Sequence, residues 1–150
     1  MTRRQWMVVI SLAGLFLALY LTLYHYGVIG VIACNVGSCE KVQTSRWSMF
    51  LGLPVAAWGI GFYTVMLILS ILGLRTELGE SQMLASAMLV IAMSGLLFTS
   101  WLNFLEAFVI HAWCEWCVGS ATMVLLLFGL CFFEWRAVRD DGRELIEGAV

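Results

Sequence analysis

Four long stretches of this 150-residue chain contain no Asp, Glu, Lys or Arg: 5–39, 47–74, 81–105 and 116–133. A helix needs roughly 20 apolar residues to cross about 30 Å of hydrocarbon, and each stretch is that long or nearly so. Lipid offers the backbone no hydrogen-bond partners, so a spanning segment must be a helix or part of a closed barrel. The alternation of apolar and polar residues that marks barrel strands does not recur. The pattern therefore predicts an all-α integral membrane protein with a four-transmembrane-helix bundle. The helices are expected at roughly 7–28, 53–73, 83–103 and 110–134, with an extracytoplasmic loop or short helix capping the bundle and a polar tail over 136–150. Glu106, His111 and Glu115 interrupt the start of the fourth helix.

Composition closes off the other classes. Hydrophobic residues make up 62% of the chain and charged residues 12%, whereas a soluble domain carries roughly a quarter charged residues. At a mean hydropathy of +0.94, a soluble fold of this size could not hide its apolar surface. A net charge of -2 with no basic patch excludes a nucleic-acid partner. The length fits one domain, read as a single membrane unit over 1–150. Val31-Ile32-Ala33-Cys34 has the look of a lipoprotein cleavage site. The apolar run before it is about twice the length of a signal-peptide core, which favours an uncleaved helix.

Orientation follows from the basic residues. In a four-helix hairpin Arg3, Arg4, Arg75, Arg136, Arg139 and Arg143 fall on one side, and Lys41 and Arg46 on the other. The positive-inside rule then puts both termini in the cytoplasm and the segment 30–52 outside. Trp6 and Trp135 are expected near the inner interface, and Trp47, Trp101, Trp113 and Trp116 near the outer one. Pro54 is expected in the first turn of the second helix, where a missing N–H costs nothing.

Four of the five cysteines fall on the outer side: Cys34 and Cys39 in the first loop, Cys114 and Cys117 as C-E-W-C at the start of the fourth helix. The outer side of a bacterial plasma membrane, or the ER lumen, is oxidising, so disulfides persist there. The turn-prone residues Asn35 to Ser38 can bring Cys34 and Cys39 together and can also move. A helix N-terminus favours thiolate, the reactive form of cysteine. The same cysteines also permit two stapling disulfides or a zinc site. A disulfide across one helical turn closes only a tiny loop and staples little, which leaves two exchanging redox pairs as the better reading. Cys131 lies deep in the fourth helix, where a free cysteine acts as a small hydrophobe.

Cys34…Cys39-Glu40-Lys41-Val42…Ser45…Gly52-Leu53-Pro54…Gly59…Tyr63, followed by Cys114-x-x-Cys117, resembles the vitamin K epoxide reductase family. The likeness spans about residues 7–135 and is nearest to the bacterial homologues. The DsbB type of quinone-linked disulfide generator carries its pairs in the reverse order.

The resemblance implies an oxidoreductase of the bacterial inner membrane, its cysteine pairs facing the periplasm or exterior. A separate DsbA-like or thioredoxin-like protein would hand electrons to the loop pair. The loop pair would pass them to the C-x-x-C pair, and that pair to a quinone, menaquinone or ubiquinone, so that disulfide formation is sustained without a metal. By position, Cys34 would meet the partner, Cys39 would exchange with Cys114, and Cys117 would face the quinone. Ser45 and Trp47 match a region packed over the quinone pocket. The chain stops about fifteen residues past the fourth helix, so no fused thioredoxin-like domain is expected. The tyrosine and asparagine of the vertebrate enzymes correspond here to Ala121 and Val55, which argues for a quinone rather than vitamin K epoxide. Glu106 and His111 are candidate proton relays. The rival readings are a membrane protein that binds a soft metal and a structural one stapled by disulfides.

Overall fold

The structure is a computed structural model that describes residues 2–147, the side chains of 76, 77 and 146 excepted. It is an all-α bundle with four helices long and apolar enough to cross a membrane. In chain order the elements are α1 (Arg3–His25), α2 (Cys39–Gln43), α3 (Val55–Leu72), α4 (Thr76–Gly79), α5 (Gln82–Leu105) and α6 (Glu115–Glu147). A 3₁₀ turn (Arg46–Ser48) and a two-stranded hairpin, β1 (Met49–Phe50) on β2 (Leu53–Pro54), join α2 to α3.

The core of the bundle sets large side chains, among them Met7, Tyr63, Met66 and Leu127, against small residues. The buried stripe of α1 runs Met7, Ser11, Gly14, Ala18, Leu21, a spacing of three and four that keeps one seam facing its neighbours. Without a hydrophobic force between helices in lipid, close backbone approach supplies the packing. Gly14 provides it: the ring of Tyr63 from α3 lies where a Cβ would be, and Gly95 of α5 receives Phe62 in the same way. The buried hydroxyls of Thr22 and Ser70 are satisfied within their own helices by the carbonyls of Ala18 and Met66. Cys131 is buried in this core beside Met7 and Leu127.

One end of the bundle is clamped by Arg4. Its guanidinium donates to the carbonyls of Gly73 and Gly79 and pairs with Glu134 at 2.6 Å, tying α1, α3, α4 and α6 together. The four cysteines of the two pairs gather at the opposite end.

α1 spans Arg3–His25 where 7–28 was expected, and the boundaries differ from the sequence expectation at three further features. The fourth spanning helix starts at Glu115 rather than near 110, because α5 continues into a π-helical turn (Glu106–Ile110) and His111 then reverses the chain with φ +52. Residues 136–147 extend α6 as helix where a polar tail was expected. Arg136 and Arg139 lie over the rings of Phe132 and Trp135, contacts between helical neighbours that carry the helix past its apolar stretch. Pro54 sits one residue before α3, paired with Met49 in the hairpin, rather than inside the first helical turn.

Candidate active site

Glu106 shapes the junction between α5 and α6. Its backbone carbonyl accepts from Ala112 N–H at 3.2 Å, closing the wide turn. Its carboxylate accepts from Cys114 N–H at 3.1 Å. Cys114 is consequently the cap of α6, its carbonyl accepting from Val118 N–H at 3.0 Å. Cys117 follows one turn inside. Glu106 is 3% exposed, and among the described residues it has no cationic partner. A buried carboxyl without a cation is costly to maintain. His111, the other candidate relay, is exposed on the turn.

Cys34 and Cys39 are joined as a disulfide, and Cys114, Cys117 and Cys131 are free thiols. Cys39 and Cys114 are both 0% exposed and belong to one buried cluster with Leu21, Ile32, Val42 and Ala112. Cys34 is half-buried at its margin. The loop pair therefore turns one sulfur inward and the other toward the surface. The Cys114 thiol lies below the usual thiol range, at about 7. The cause is the Cys117 thiol, which donates to it; burial and the nearby Glu106 carboxylate pull the other way.

The segment around Cys34 is zipped onto the chain before α6. Gly37 bridges Cys114 as an antiparallel pair, and Ser38 N–H donates to the Trp113 carbonyl at 2.8 Å. Trp116 Nε1 donates to the Ala33 carbonyl at 2.6 Å, and Ala33 N–H donates to the Tyr20 hydroxyl at 3.1 Å. Gly37 is obligatory: its φ is +100, and a Cβ would overlap the Trp113 carbonyl oxygen.

Beneath this assembly lies a cavity of about 390 Å³, within the size range of small-molecule sites. All four long helices line it, and Ser45, Trp47 and Cys117 border it. Ser45 Oγ donates to the Val42 carbonyl at 2.8 Å, so toward the cavity it presents an acceptor. Phe50 links Trp58 and Phe98 into an aromatic wall with Trp47, and Trp101 packs edge-on against Trp47 and Phe50. The side-chain amides of Gln43 and Asn103 add N–H groups, Gln43 Nε2 lying 3.7 Å from Cys117 Sγ. The Tyr63 hydroxyl is bonded to Ser120 Oγ at 2.9 Å on the far wall.

Sequence reasoning did not single out Gln43, Asn103 or Glu115. Gln43 was within reach, since four residues after Cys39 on a helix is the same face. Asn103 and Glu115 carry no such signature, because their roles depend on what the fold brings against them.

No curated protein matches the chain. The sequence model of the Vitamin K epoxide reductase family matches residues 5–132. Members of that family are oxidoreductases that act on disulfides and quinones, and they generally work with thioredoxin-like partners. Two cysteine pairs meet at one end of a bundle with four membrane-spanning helices, and the chain belongs to the vitamin K epoxide reductase family as a multi-pass membrane thiol oxidoreductase.

Proposed function

We propose that the protein takes two electrons from a separate DsbA-like or thioredoxin-like protein and delivers them to a membrane quinone, menaquinone or ubiquinone, sustaining disulfide formation outside the cytoplasm. Both termini then lie in the cytoplasm and both cysteine pairs face the periplasm or exterior, as the arginine distribution requires. The observation that carries the reading is Cys117. It borders the apolar cavity of about 390 Å³ while its mate Cys114 is buried in one cluster with Cys39 of the loop pair.

The cavity suits a quinone ring. Aromatic walls accept a flat apolar ring, and the amide N–H groups of Gln43 and Asn103 suit its carbonyl oxygens. A bound quinone supplies an acceptor for two electrons and two protons.

The chain's own steps are thiol–disulfide exchanges. The partner's dithiol reduces the loop disulfide through the accessible Cys34. Cys39 thiolate attacks Cys114 of a Cys114–Cys117 disulfide, forming a Cys39–Cys114 bond and releasing Cys117, which takes up a proton. Cys34 thiolate then attacks Cys39, restoring the loop disulfide and releasing Cys114, which takes up the second proton. The bonding seen here, with the loop pair oxidised and the helix pair reduced, corresponds to the end of that sequence. Glu106, which borders the same cavity as Cys117, is placed to move the Cys117 proton.

The test is quinone reduction by the purified protein in detergent, with a reduced DsbA-like donor and menaquinone or ubiquinone. Wild type and Cys131→Ser are expected to turn over and Cys117→Ser is not. Absence of turnover by folded wild type with every donor and quinone tried would overturn the proposal. The soft-metal reading has one observation of its own: the ligand atoms of Cys34, Cys39 and Glu115 lie within 4.8 Å of one another. Their two sulfurs are bonded to each other, so such a site needs prior reduction. Stoichiometric zinc binding by reduced protein without quinone turnover would favour it.

A further inference from the structure

We infer that Glu115, the first of the two residues between the helix cysteines, is the positioning residue that docks the Cys34–Cys39 loop for exchange with Cys114. Glu115 is the first residue of α6, where an acid suits the helix dipole. An acid serving only the dipole would turn to solvent. Here both oxygens face the loop: Oε1 accepts from Asn35 N–H at 2.9 Å and Oε2 from Val36 N–H at 3.2 Å. Its carboxylate also lies within 4.8 Å of the Cys34 and Cys39 sulfurs. Among the described residues Glu115 forms no ion pair, so its grip is spent on the loop alone.

The other ties hold the loop on either side of this point. Ala33 is fixed by Tyr20 and Trp116, and Gly37 and Ser38 by Cys114 and Trp113. Asn35 and Val36, the turn that carries Cys34, are held by Glu115. Exchange demands contact between Cys39 and Cys114, and the partner demands access to Cys34, so one loop must both dock and release. Two charge-assisted bonds from one side chain are strong enough to favour docking and few enough to be broken together. Cys39 becomes the attacking sulfur and Cys114 the attacked one because the loop arrives in this register.

The inference rests on exchange between the two pairs, and its test needs no quinone. In full-length Cys34→Ser protein, in detergent, diamide supplies the two-electron oxidation that joins Cys114 to Cys117; Cys39 thiolate attacks Cys114 and releases Cys117, no Cys34 is present to resolve the product, and the share held as Cys39–Cys114 against Cys114–Cys117 is read, after acid quench and alkylation, by non-reducing peptide mass spectrometry. Adding Glu115→Ala is expected to lower the trapped fraction about tenfold or more, the equivalent of one charge-assisted hydrogen bond. Glu115→Gln keeps one acceptor oxygen and is expected to fall between. Amide exchange in the wild-type background separates docking from general loosening: Asn35 and Val36 N–H should exchange faster in Glu115→Ala while Val118 N–H inside α6 stays protected. Undiminished trapping in folded Glu115→Ala protein would overturn the inference, as would unchanged exchange at Asn35 and Val36. Failure of the Cys34→Ser parent to trap any Cys39–Cys114 bond would instead overturn the exchange scheme beneath it.

Discussion

Gly37→Ala isolates the contact that sets the register between the two cysteine pairs. Gly37 has φ +100, and a methyl group there would overlap the backbone carbonyl oxygen of Trp113. That carbonyl cannot retreat freely, because it also accepts from Ser38 N–H at 2.8 Å. Holding an alanine in the left-handed region costs roughly 1–2 kcal/mol, and losing the Ser38 hydrogen bond costs about 1 kcal/mol more. The sum of about 2–3 kcal/mol shifts the docked-to-undocked ratio of the loop by roughly 30- to 150-fold. The readout is the fraction of Cys39–Cys114 disulfide trapped in the Cys34→Ser background. Gly27→Ala is the control, since Gly27 also has φ +75 but a Cβ there meets nothing. It pays the backbone strain at the end of α1 without touching the zipper, and trapping should hold. A Gly37→Ala chain that traps as much as its parent would refute the view that the bridge to Cys114 sets the register.

Other outcomes follow from the same geometry. Glu106→Ala leaves the buried Cys114 N–H without its acceptor, which should cost about 1–3 kcal/mol in thermal unfolding; Glu106→Gln keeps an acceptor, so it should unfold near wild type while quinone reduction falls by about 10²-fold. With its thiol lowered to about 7, Cys114 is protonated below that pH and thiolate above it. The ultraviolet thiolate absorbance lost in Cys114→Ser should therefore be a step near pH 7, and Cys117→Ala, which removes the donor, should move that step up toward the ordinary value of 9.0. Gly14→Ala forces the Tyr63 ring out of its seat and away from Ser120. Overpacking of about 1–3 kcal/mol outweighs or cancels the helix propensity gained, about 1 kcal/mol, so the melting temperature should not rise, and the cavity wall should be disturbed in quinone binding.

How much of this was legible in the residues depends on the range of the forces involved. Membrane spans are readable because lipid penalises each charge independently of neighbours, so the windows between Arg4, Glu40, Arg46, Arg75, Glu80, Glu106, Glu115 and Glu134 mark the helices without reference to packing. The spacing of Cys34, Cys39, Cys114 and Cys117 was enough to suggest two redox pairs, and the surrounding motifs pointed to the family. Helix ends were less legible. The π-helical turn after Leu105 arises because the Glu106 backbone and side chain hold Ala112 and Cys114 together, a local solution that apolar patterning does not encode.

Tertiary structure alone decided which atoms meet. Glu115 reads in sequence as a spacer in C-E-W-C, yet its carboxylate faces residues 79 and 80 positions earlier. Gln43 and Asn103 come to the same cavity as Cys117 from separate elements. Backbone hydrogen bonds and ring contacts act over a few ångströms, so they exist only once α1, the loop and α6 have been packed side by side. Composition and spacing determined what kind of chemistry the chain is equipped for. Packing, through Gly14, Gly37 and the turn at Glu106, determined which sulfur faces which.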